Sequence, residues 1–442
     1  MLRNKTLIPL LLALGFVLSL ASCASDTAVD APDAQPNKAF LQVQVSVDGA
    51  SATRAYTGPN GGEDGDGREE GLTNENTIKK LSVLLYSSEK SDLSDTNAKI
   101  EYVYTFNNLT SSTETDGTVV WKTSAQEIDR TIVGKNYHVL IIANSDELSG
   151  YKDKTISDVK DLEIKKVVTR NASDVSLFSD FVMSSHKDVS LDFQTGKGTE
   201  TDPYVVSADV ERLAARIDIV PSATYSSTDN AYYYNVTDAS KNVIGGFKLE
   251  KVVPTNVLTS GEYFIKRTSA TSELTNLTYF GEETMDATTK KSTNYVVCPL
   301  TKSTTSRGTA QGTDDFYQVK DATTNNGFIL DYVMENTTTD NNKDYSTGLL
   351  FKGTYYDKDS WDADNVKPKA DASGTAKEYS YTIRHSDPSS SSTSTDPMYY
   401  GIVRNNIYRV EIEGITGKGT DGMNLKIQVR KWATYTHEET TM

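Results

Sequence analysis

The sequence has few of the residues on which most catalytic sites and metal centres depend. Only four of its 442 residues are His and only two are Cys. The zinc motif HExxH, the nucleophile motif GxSxG and a complete P-loop are absent, because the GKGT runs lack the P-loop spacing and ending. Carboxylates are plentiful, but no pair stands out as glycosidase machinery. We therefore expect no enzyme activity, no metal site and no cofactor.

Positive charge is also scarce. Lys and Arg number 45 against 61 Asp and Glu, which gives a net charge of −16. This balance argues against nucleic acid or an anionic membrane surface as a partner. The acidic stretch Gly58–Gly71 contains Asp64 and Asp66, but Arg68 stands where an EF-hand needs a third ligand. A solvated loop is the favoured interpretation there, with calcium as the lesser alternative.

The apolar run Leu7–Leu20 follows two basic residues and is too short for an ordinary membrane span. It ends in Leu20–Cys23, where small residues directly before a Cys resemble a bacterial lipobox. Residues 1–22 are predicted to be a signal peptide, and Cys23 the lipid-bearing, palmitoylated N-terminus. An ordinary secretory signal with a chance Cys is the alternative. After Cys23 only Cys298 remains, which excludes an intrachain disulfide in the mature chain.

Short apolar runs separated by Ser, Thr and Asn, together with 25 Tyr, are typical of an all-β protein with long polar loops. In the opening strand Leu41, Val43, Val45 and Val47 alternate with polar residues, which predicts one buried and one wet face. The other predicted strands are Ile78–Tyr86, a hairpin of Ile100–Phe106 with Thr118–Trp121, the central strand Asn136–Ala143, Val210–Val220, Leu349–Tyr356, Tyr379–Arg384, Pro397–Val403, Ile407–Ile412 and Leu425–Trp432.

One helix and one histidine interrupt this pattern. The apolar spacing of Lys154–Lys165 predicts a short helix with Thr155 or Ser157 as its N-cap. His138 lies within the central strand, and we expect an edge-facing or hydrogen-bonded residue rather than a metal ligand.

The strand Val210–Val220 opens a second strand-rich unit. Two domains, 55–208 and 209–442, are therefore predicted, with their boundary just before this strand. Its polar residues Arg212, Arg216 and Asp218 are placed on or near the face opposite its apolar residues.

The loop behind the opening strand holds a single basic residue, Arg54, among small residues. Loops of this kind are preferred sites of proteolysis. A cut after Arg54 would detach a strand whose four aliphatic side chains contribute about 6–12 kcal/mol as an upper estimate. Since a whole domain is stable by only about 5–15 kcal/mol, the remaining fold would need a replacement strand. The segment Leu425–Trp432 repeats the alternation of the lost one.

Taken together, these features resemble the fimbrillin family, the FimA-type shaft subunits of type V pili. No single pattern is specific, but their order and spacing are. The resembling features are the lipobox at Leu20–Cys23, the junction Thr53–Ala55, the strands Ile78–Tyr86 and Asn136–Ala143, the segment Val210–Val220, and the block Tyr399–Thr420 with the following KIQVRKW. This last block is most similar to subunits of the short fimbrium.

The resemblance implies a fold of two tandem transthyretin-like Greek-key β-sandwich domains with an added C-terminal donor strand. It also implies export as an outer-membrane lipoprotein with a lipidated pro-segment, residues 23–54. An Arg-specific protease would cut between Arg54 and Ala55, and the strand Leu41–Val47 would leave its groove. A segment of another copy would fill that groove, so that extracellular fimbriae form and support adhesion, biofilm and virulence.

The implied partners are copies of the same chain, accessory anchor and tip subunits, the processing protease and a host or bacterial surface receptor of undefined kind. Membrane attachment through lipid would be transient. Arg68 and Arg130 are alternative cleavage sites, although no comparable strand precedes either. An anchor or tip subunit, or a monomeric lipoprotein that binds glycan through exposed Tyr and Trp, are the alternative functions.

The donor strand is expected within residues 425–442. Its first half offers Leu425, Ile427, Val429 and Trp432 as groove-filling side chains. If that half instead closes the second sandwich, Ala433 and Tyr435 of the following segment would fill the groove.

Overall fold

Strands make up more than half of the part of the chain that the structure describes. The computed structural model describes residues 38–47, 68–89, 95–114, 118–160, 163–164, 167–170, 178–185, 189–255, 257, 261–262, 317–323, 327–338, 347–384, 400–419 and 422–433. The prediction of an all-β fold of sandwich type is confirmed. In these residues no helix is long and apolar enough to cross a bilayer.

The elements follow one another along the chain as mostly short strands with brief helical turns between them. The first fourteen strands are β1 Ala39–Val47, β2 Arg68–Glu70, β3 Lys80–Tyr86, β4 Ile100–Asn107, β5 Thr110–Thr113, β6 Val119–Lys122, β7 Gln126–Ile128, β8 Asn136–Ala143, β9 Glu163–Ile164, β10 Thr169–Arg170, β11 Phe178–Ser179, β12 Met183–Ser185, β13 Ser190–Asp192 and β14 Tyr204–Arg212.

The remaining elements begin directly after β14. The strands are β15 Ala214–Val220, β16 Tyr225–Ser226, β17 Ala231–Thr237, β18 Val243–Thr255, β19 Gly261–Glu262, β20 Phe328–Met334, β21 Asn336–Thr338, β22 Gly348–Asp357, β23 Trp361–Asp362, β24 Lys367–Pro368, β25 Thr375–Thr382, β26 Tyr400–Ile402, β27 Asn406–Thr416 and β28 Met423–Ala433. The α-helices are α1 Thr73–Asn76 and α2 Ile156–Lys160, and the 3-10 helices are Arg130–Ile132, Ser149–Tyr151 and Lys358–Ser360.

Two mixed sheets hold most of these strands. The first has the order β4-β3-β8-β12-β14-β1-β6-β5, with β13 on β8 and β7 on β1. The second has the order β2-β28-β27-β17-β18-β22-β25, with β15 between β20 and β27 and β16 on β17. The strands bury two apolar clusters, because alternate side chains of each strand point to one face. The cluster under the first sheet also takes in Tyr332, Met334, Ile407 and Trp432 from strands of the second sheet. The central position predicted for Asn136–Ala143 is confirmed.

The chain passes from the first sheet to the second at Leu213. Val210 and Arg212 end β14, and Ala214 starts β15, so the single strand predicted over Val210–Val220 is wrong. The polar residues placed on or near the face opposite the apolar residues are also buried, since Arg212 is 0% and Arg216 7% exposed. The predicted boundary between residues 208 and 209 therefore falls inside β14.

Two local predictions also need correction. Thr118–Trp121 does not pair with Ile100–Phe106: β6 pairs with β5, and β4 pairs with β3. The helix predicted over Lys154–Lys165 is only Ile156–Lys160. Its predicted cap is present, because the Thr155 hydroxyl accepts the Asp158 N–H at 3.2 Å and the Asp158 carboxylate accepts the Thr155 N–H at 2.7 Å.

Candidate functional site

The opening strand β1 lies inside the first sheet rather than at its edge. It runs parallel to β14, with Leu41 beside Tyr204 and Val47 beside Val210. On its other side it is antiparallel to β6 and β7. Strict alternation along the strand sends every second side chain into the core. The inward residues are Ala39, Leu41, Val43, Val45 and Val47, each at most 2% exposed.

The backbone of β1 is fastened at its middle by Thr123, which follows β6. The Val43 N–H donates to the Thr123 hydroxyl oxygen at 3.0 Å, and the Thr123 N–H donates to the Val43 carbonyl at 3.0 Å. The Gln42 side-chain amide donates to the Thr123 carbonyl at 3.0 Å. Thr123 itself is buried, so one residue satisfies several polar groups that would otherwise be costly to bury.

The start of β1 is held by a turn in front of β14. The Phe40 N–H donates to the Gly198 carbonyl at 2.9 Å. Gly198 has a φ of +83°, and a Cβ there would collide with the ring of Tyr204. A residue without a side chain is thus required where this turn meets the strand.

The outer face of β1 makes weaker, solvent-exposed contacts. Lys38 Nζ lies 2.7 Å from Glu127 Oε2, and this hydrogen bond raises the pKa of Lys38. Ser46 donates its hydroxyl to Asp209 on β14. The strand is therefore held chiefly by its buried face and its backbone.

The C-terminal strand β28 is paired within the second sheet. Nine of its residues, from Met423 to Lys431, lie opposite residues of β27 in antiparallel register. Leu425 and Ile427 pack half-buried against the second core. The backbone of Val429 lies opposite Tyr408. In this structure the segment Leu425–Trp432 is part of the second sheet of its own chain, between β2 and β27.

The end of β28 enters a different environment. Trp432 is 0% exposed and belongs to the apolar cluster of the first sheet. Its ring stacks on Tyr332 with centroids 5.8 Å apart and meets Phe181 edge-on at 5.9 Å. The backbone of Ala433 pairs in parallel with Glu70 of β2.

Glu75, in the short helix α1, is the centre of a buried polar cluster around Trp432. Its carboxylate accepts the Trp432 Nε1–H at 3.0 Å, the Leu72 N–H at 2.6 Å and the Tyr332 hydroxyl. Arg216 Nη1 lies 3.4 Å from it and compensates its charge. Burial, followed by the Glu75 charge, raises the pKa of Tyr332. Since Glu75 is completely buried, these contacts offset the free-energy cost of removing its charge from water.

Arg212, the last residue of β14, completes this cluster. Its Nε donates to the Glu75 carbonyl at 3.0 Å, and its Nη1 donates to the Asn405 side chain at 2.9 Å. Its guanidinium carbon lies 4.6 Å from the centre of the Trp432 ring, within cation–π range. Arg212 thus links β14, the strand beside β1, to the end of β28.

Sequence reasoning missed this cluster. Glu75 sits in a four-residue helix without an apolar pattern, and its hydrogen bond to Trp432 joins residues 357 positions apart. The only local signal was the pair Arg212 and Arg216 in a segment that is otherwise apolar.

Several predicted site residues lie outside the described residues, namely Cys23, Arg54, Ala55 and Tyr435. Of the alternative cleavage sites, Arg68 pairs with Lys431 at the start of β2. Arg130 starts a 3-10 helix whose N-cap Asp129 accepts the Thr131 N–H. Both arginines therefore lie in hydrogen-bonded backbone, which a protease cuts less readily than an open loop.

Potential metal ligands are scattered over the described part of the chain. No group of three His, Cys, Asp or Glu there could hold a metal ion. His138 makes a hydrogen bond of 3.1 Å with the Ser88 carbonyl and stacks on Tyr86. The prediction that it is hydrogen-bonded is confirmed.

Two family models match separate parts of the chain. The model of the major fimbrial subunit protein FimA matches residues 42–243, which include β1 from Gln42 onward and the whole of β14. The model of the C-terminal part of fimbrillin, the major fimbrial subunit protein type IV, matches residues 373–430. Together the two ranges span more than half of the sequence. The chain belongs to the fimbrillin family of fimbrial subunits.

Solved structures with a similar course of the chain include three that are described as adhesion or fimbrial proteins. A cell adhesion protein of Parabacteroides distasonis is 13% identical, with 89% of this chain and 100% of that chain covered and a TM-score of 0.47. The fimbrilin FimA of Porphyromonas gingivalis is 16% identical, with 90% and 99% covered and a TM-score of 0.45. The C-terminally truncated tip fimbrial protein Mfa3 of the same organism is 10% identical, with 89% and 100% covered and a TM-score of 0.40. A search of curated proteins finds no match.

Proposed function

We propose that this protein is a shaft subunit of a surface fimbria, made as a lipoprotein precursor and polymerised by donor-strand exchange. The observation that supports this most directly is the place of β1. It is an internal strand with five buried side chains, yet it precedes a loop in which Arg54 is the first basic residue. A strand placed in this way can be separated from the rest of the chain by a single cut.

Removal of β1 would leave a groove between β14 and the pair β6 and β7. The groove would expose the backbone groups that now pair with β1, together with the apolar surface under its inward side chains. Burying each such side chain stabilises a fold by about 1.5–3 kcal/mol. An open groove of this size therefore favours capture of another strand with the same alternation.

The strand that fills the groove would come from residues 425–442 of a second copy. Both the alternating segment Leu425–Trp432 and the segment that starts at Ala433 lie in that range. Each copy would then accept one strand and donate one, so assembly continues as a filament rather than closing on itself.

Export and processing form the other part of the proposal. Cys23 would carry the lipid that brings the precursor to the outer membrane, and cleavage after Arg54 would release the body from both the lipid and β1. One cut would thus free the subunit and activate it.

Cells that produce an Arg54→Ala variant test this function. Wild-type surface protein should begin at Ala55 and form filaments, whereas Arg54→Ala should keep β1 in place and form none. Arg68→Ala and Arg130→Ala are matched controls that should assemble normally. N-terminal sequencing of surface extracts and electron microscopy provide the readouts.

Normal filament numbers from Arg54→Ala would contradict the proposal. If the wild-type protein at the surface instead keeps a lipidated Cys23, it is an anchor subunit or a monomeric glycan-binding lipoprotein, and the shaft role is wrong.

A further inference from the structure

The C-terminal strand β28 is attached to its own chain in two ways. Along its length it pairs with β27, which has β15 and β17 as its other neighbours. At its end the Trp432 side chain is buried between Tyr332, Phe181 and Arg212. The first attachment lies within the second sheet, whereas the second attachment also involves Arg212 of β14 in the first sheet.

Withdrawal of Trp432 would cost more free energy than the exposure of its apolar surface alone. The Glu75 carboxylate would lose the indole N–H donor in a completely buried site, and Arg212 would lose the ring on which its guanidinium lies. Buried charges that lose partners are strongly destabilising. Leu425 and Ile427, by contrast, are only half-buried, so Trp432 resists withdrawal more than either of these two side chains.

The segment that holds Trp432 lies after the proposed cut. Strand β2 and helix α1, residues 68–76, follow Arg54 in the chain and would stay with the processed subunit. Cleavage would therefore remove β1 but leave the contacts of Trp432 with Glu75, and of Ala433 with Glu70, in place.

We infer that Met423–Trp432 stays in the second sheet of its own subunit throughout assembly, and that Trp432 is the anchor behind which the donated strand begins. This rests on the proposed strand-exchange function and narrows the donor to the segment from Ala433 onward. The alternation of Leu425, Ile427 and Val429 then serves the second sheet and not the neighbour's groove.

A disulfide staple across β28 and β27 tests the inference. Glu411 and Lys426 lie opposite each other, and so do Gly414 and Asn424, where a Cβ has room. Each pair is changed to Cys in a chain that also carries Cys23→Ser and Cys298→Ser, so that no other thiol is present. The stapled protein is cut with an Arg-specific protease, and polymer growth is followed by light scattering with and without reductant.

Oxidised and reduced samples of at least one staple should polymerise alike if β28 stays in place. If both staples stop growth when oxidised and permit it when reduced, Met423–Trp432 is itself the donor and the inference is overturned. Urea unfolding of the oxidised variants shows whether each staple leaves the fold intact.

A third staple, Ser46→Cys with Val120→Cys, fixes β1 to β6 and distinguishes the inference about β28 from the strand-exchange proposal itself. When oxidised it should prevent growth even after the cut, because the groove stays filled. Growth from this oxidised sample would refute strand exchange as a whole, whatever the result at β28.

Discussion

Val43 and Thr123 exchange two hydrogen bonds, both of 3.0 Å, one from the Val43 N–H to the Thr123 hydroxyl and one from the Thr123 N–H to the Val43 carbonyl. Thr123→Val should therefore leave the buried Val43 N–H without its acceptor and destabilise the uncut chain by about 1–3 kcal/mol. Urea unfolding measures the change. Thr113→Val, on the exposed strand β5, should leave the midpoint unchanged, and equal effects of the two variants would show that Thr123 does not fasten β1.

The buried face of β1 should dominate its attachment. Leu41→Ala removes a completely buried side chain and should cost about 2–5 kcal/mol of unfolding free energy. The outward change Gln44→Ala should alter it by less than about 0.5 kcal/mol. The comparison is made on the uncut chain by denaturant unfolding. After the cut at Arg54, when β1 has left, Leu41→Ala should have no effect, and a persistent loss of stability would argue against release of the strand.

Glu75 should be among the most sensitive residues of the chain. Glu75→Ala removes the carboxylate that accepts the Trp432 indole N–H and the Tyr332 hydroxyl, and it removes one partner of Arg216, which keeps Asp218 at 2.7 Å. We expect a loss of about 3–5 kcal/mol, the usual effect of breaking a buried charge pair. Thermal unfolding of Glu75→Ala is compared with Glu147→Ala, which changes an exposed carboxylate. A small loss at Glu75 would indicate that the cluster rearranges.

Lipid attachment should depend on one side chain. Cys23→Ser removes the only thiol in the predicted lipobox, so labelling of the precursor with a palmitate analogue should disappear. Surface filaments should disappear with it if delivery depends on the lipid. Cys298→Ser is the matched control and should be labelled as strongly as the wild type. Normal labelling of Cys23→Ser would place the lipid elsewhere.

Elements with a strong period in the sequence were predictable, and elements defined by distant partners were not. Alternation alone located β1 and four of its five inward residues, because the period of two is a property of the strand itself. The β4 pairing was wrong because short strand β5, all of it Ser and Thr, gives no apolar signal. The predicted continuous strand over Val210–Val220 failed because an apolar run cannot show that a strand changes sheets at Leu213.

The candidate site was predictable in the same uneven way. Strand β1 could be found from its own residues, and so could the resemblance between its alternating pattern and that of Leu425–Val429. The anchoring of Trp432 could not, since Glu75 and Trp432 are brought together only by the packing of both sheets.

The parallel pairing of β1 with β14 also has a consequence for the order of folding. Ser46 and Asp209 are neighbours in space but 163 residues apart in sequence. Pairing of the two strands must close this long loop, and contacts between residues so far apart in sequence form slowly. The strand that is proposed to leave therefore completes its pairing only when β14 is in place, and we expect its full docking to be a late step of folding.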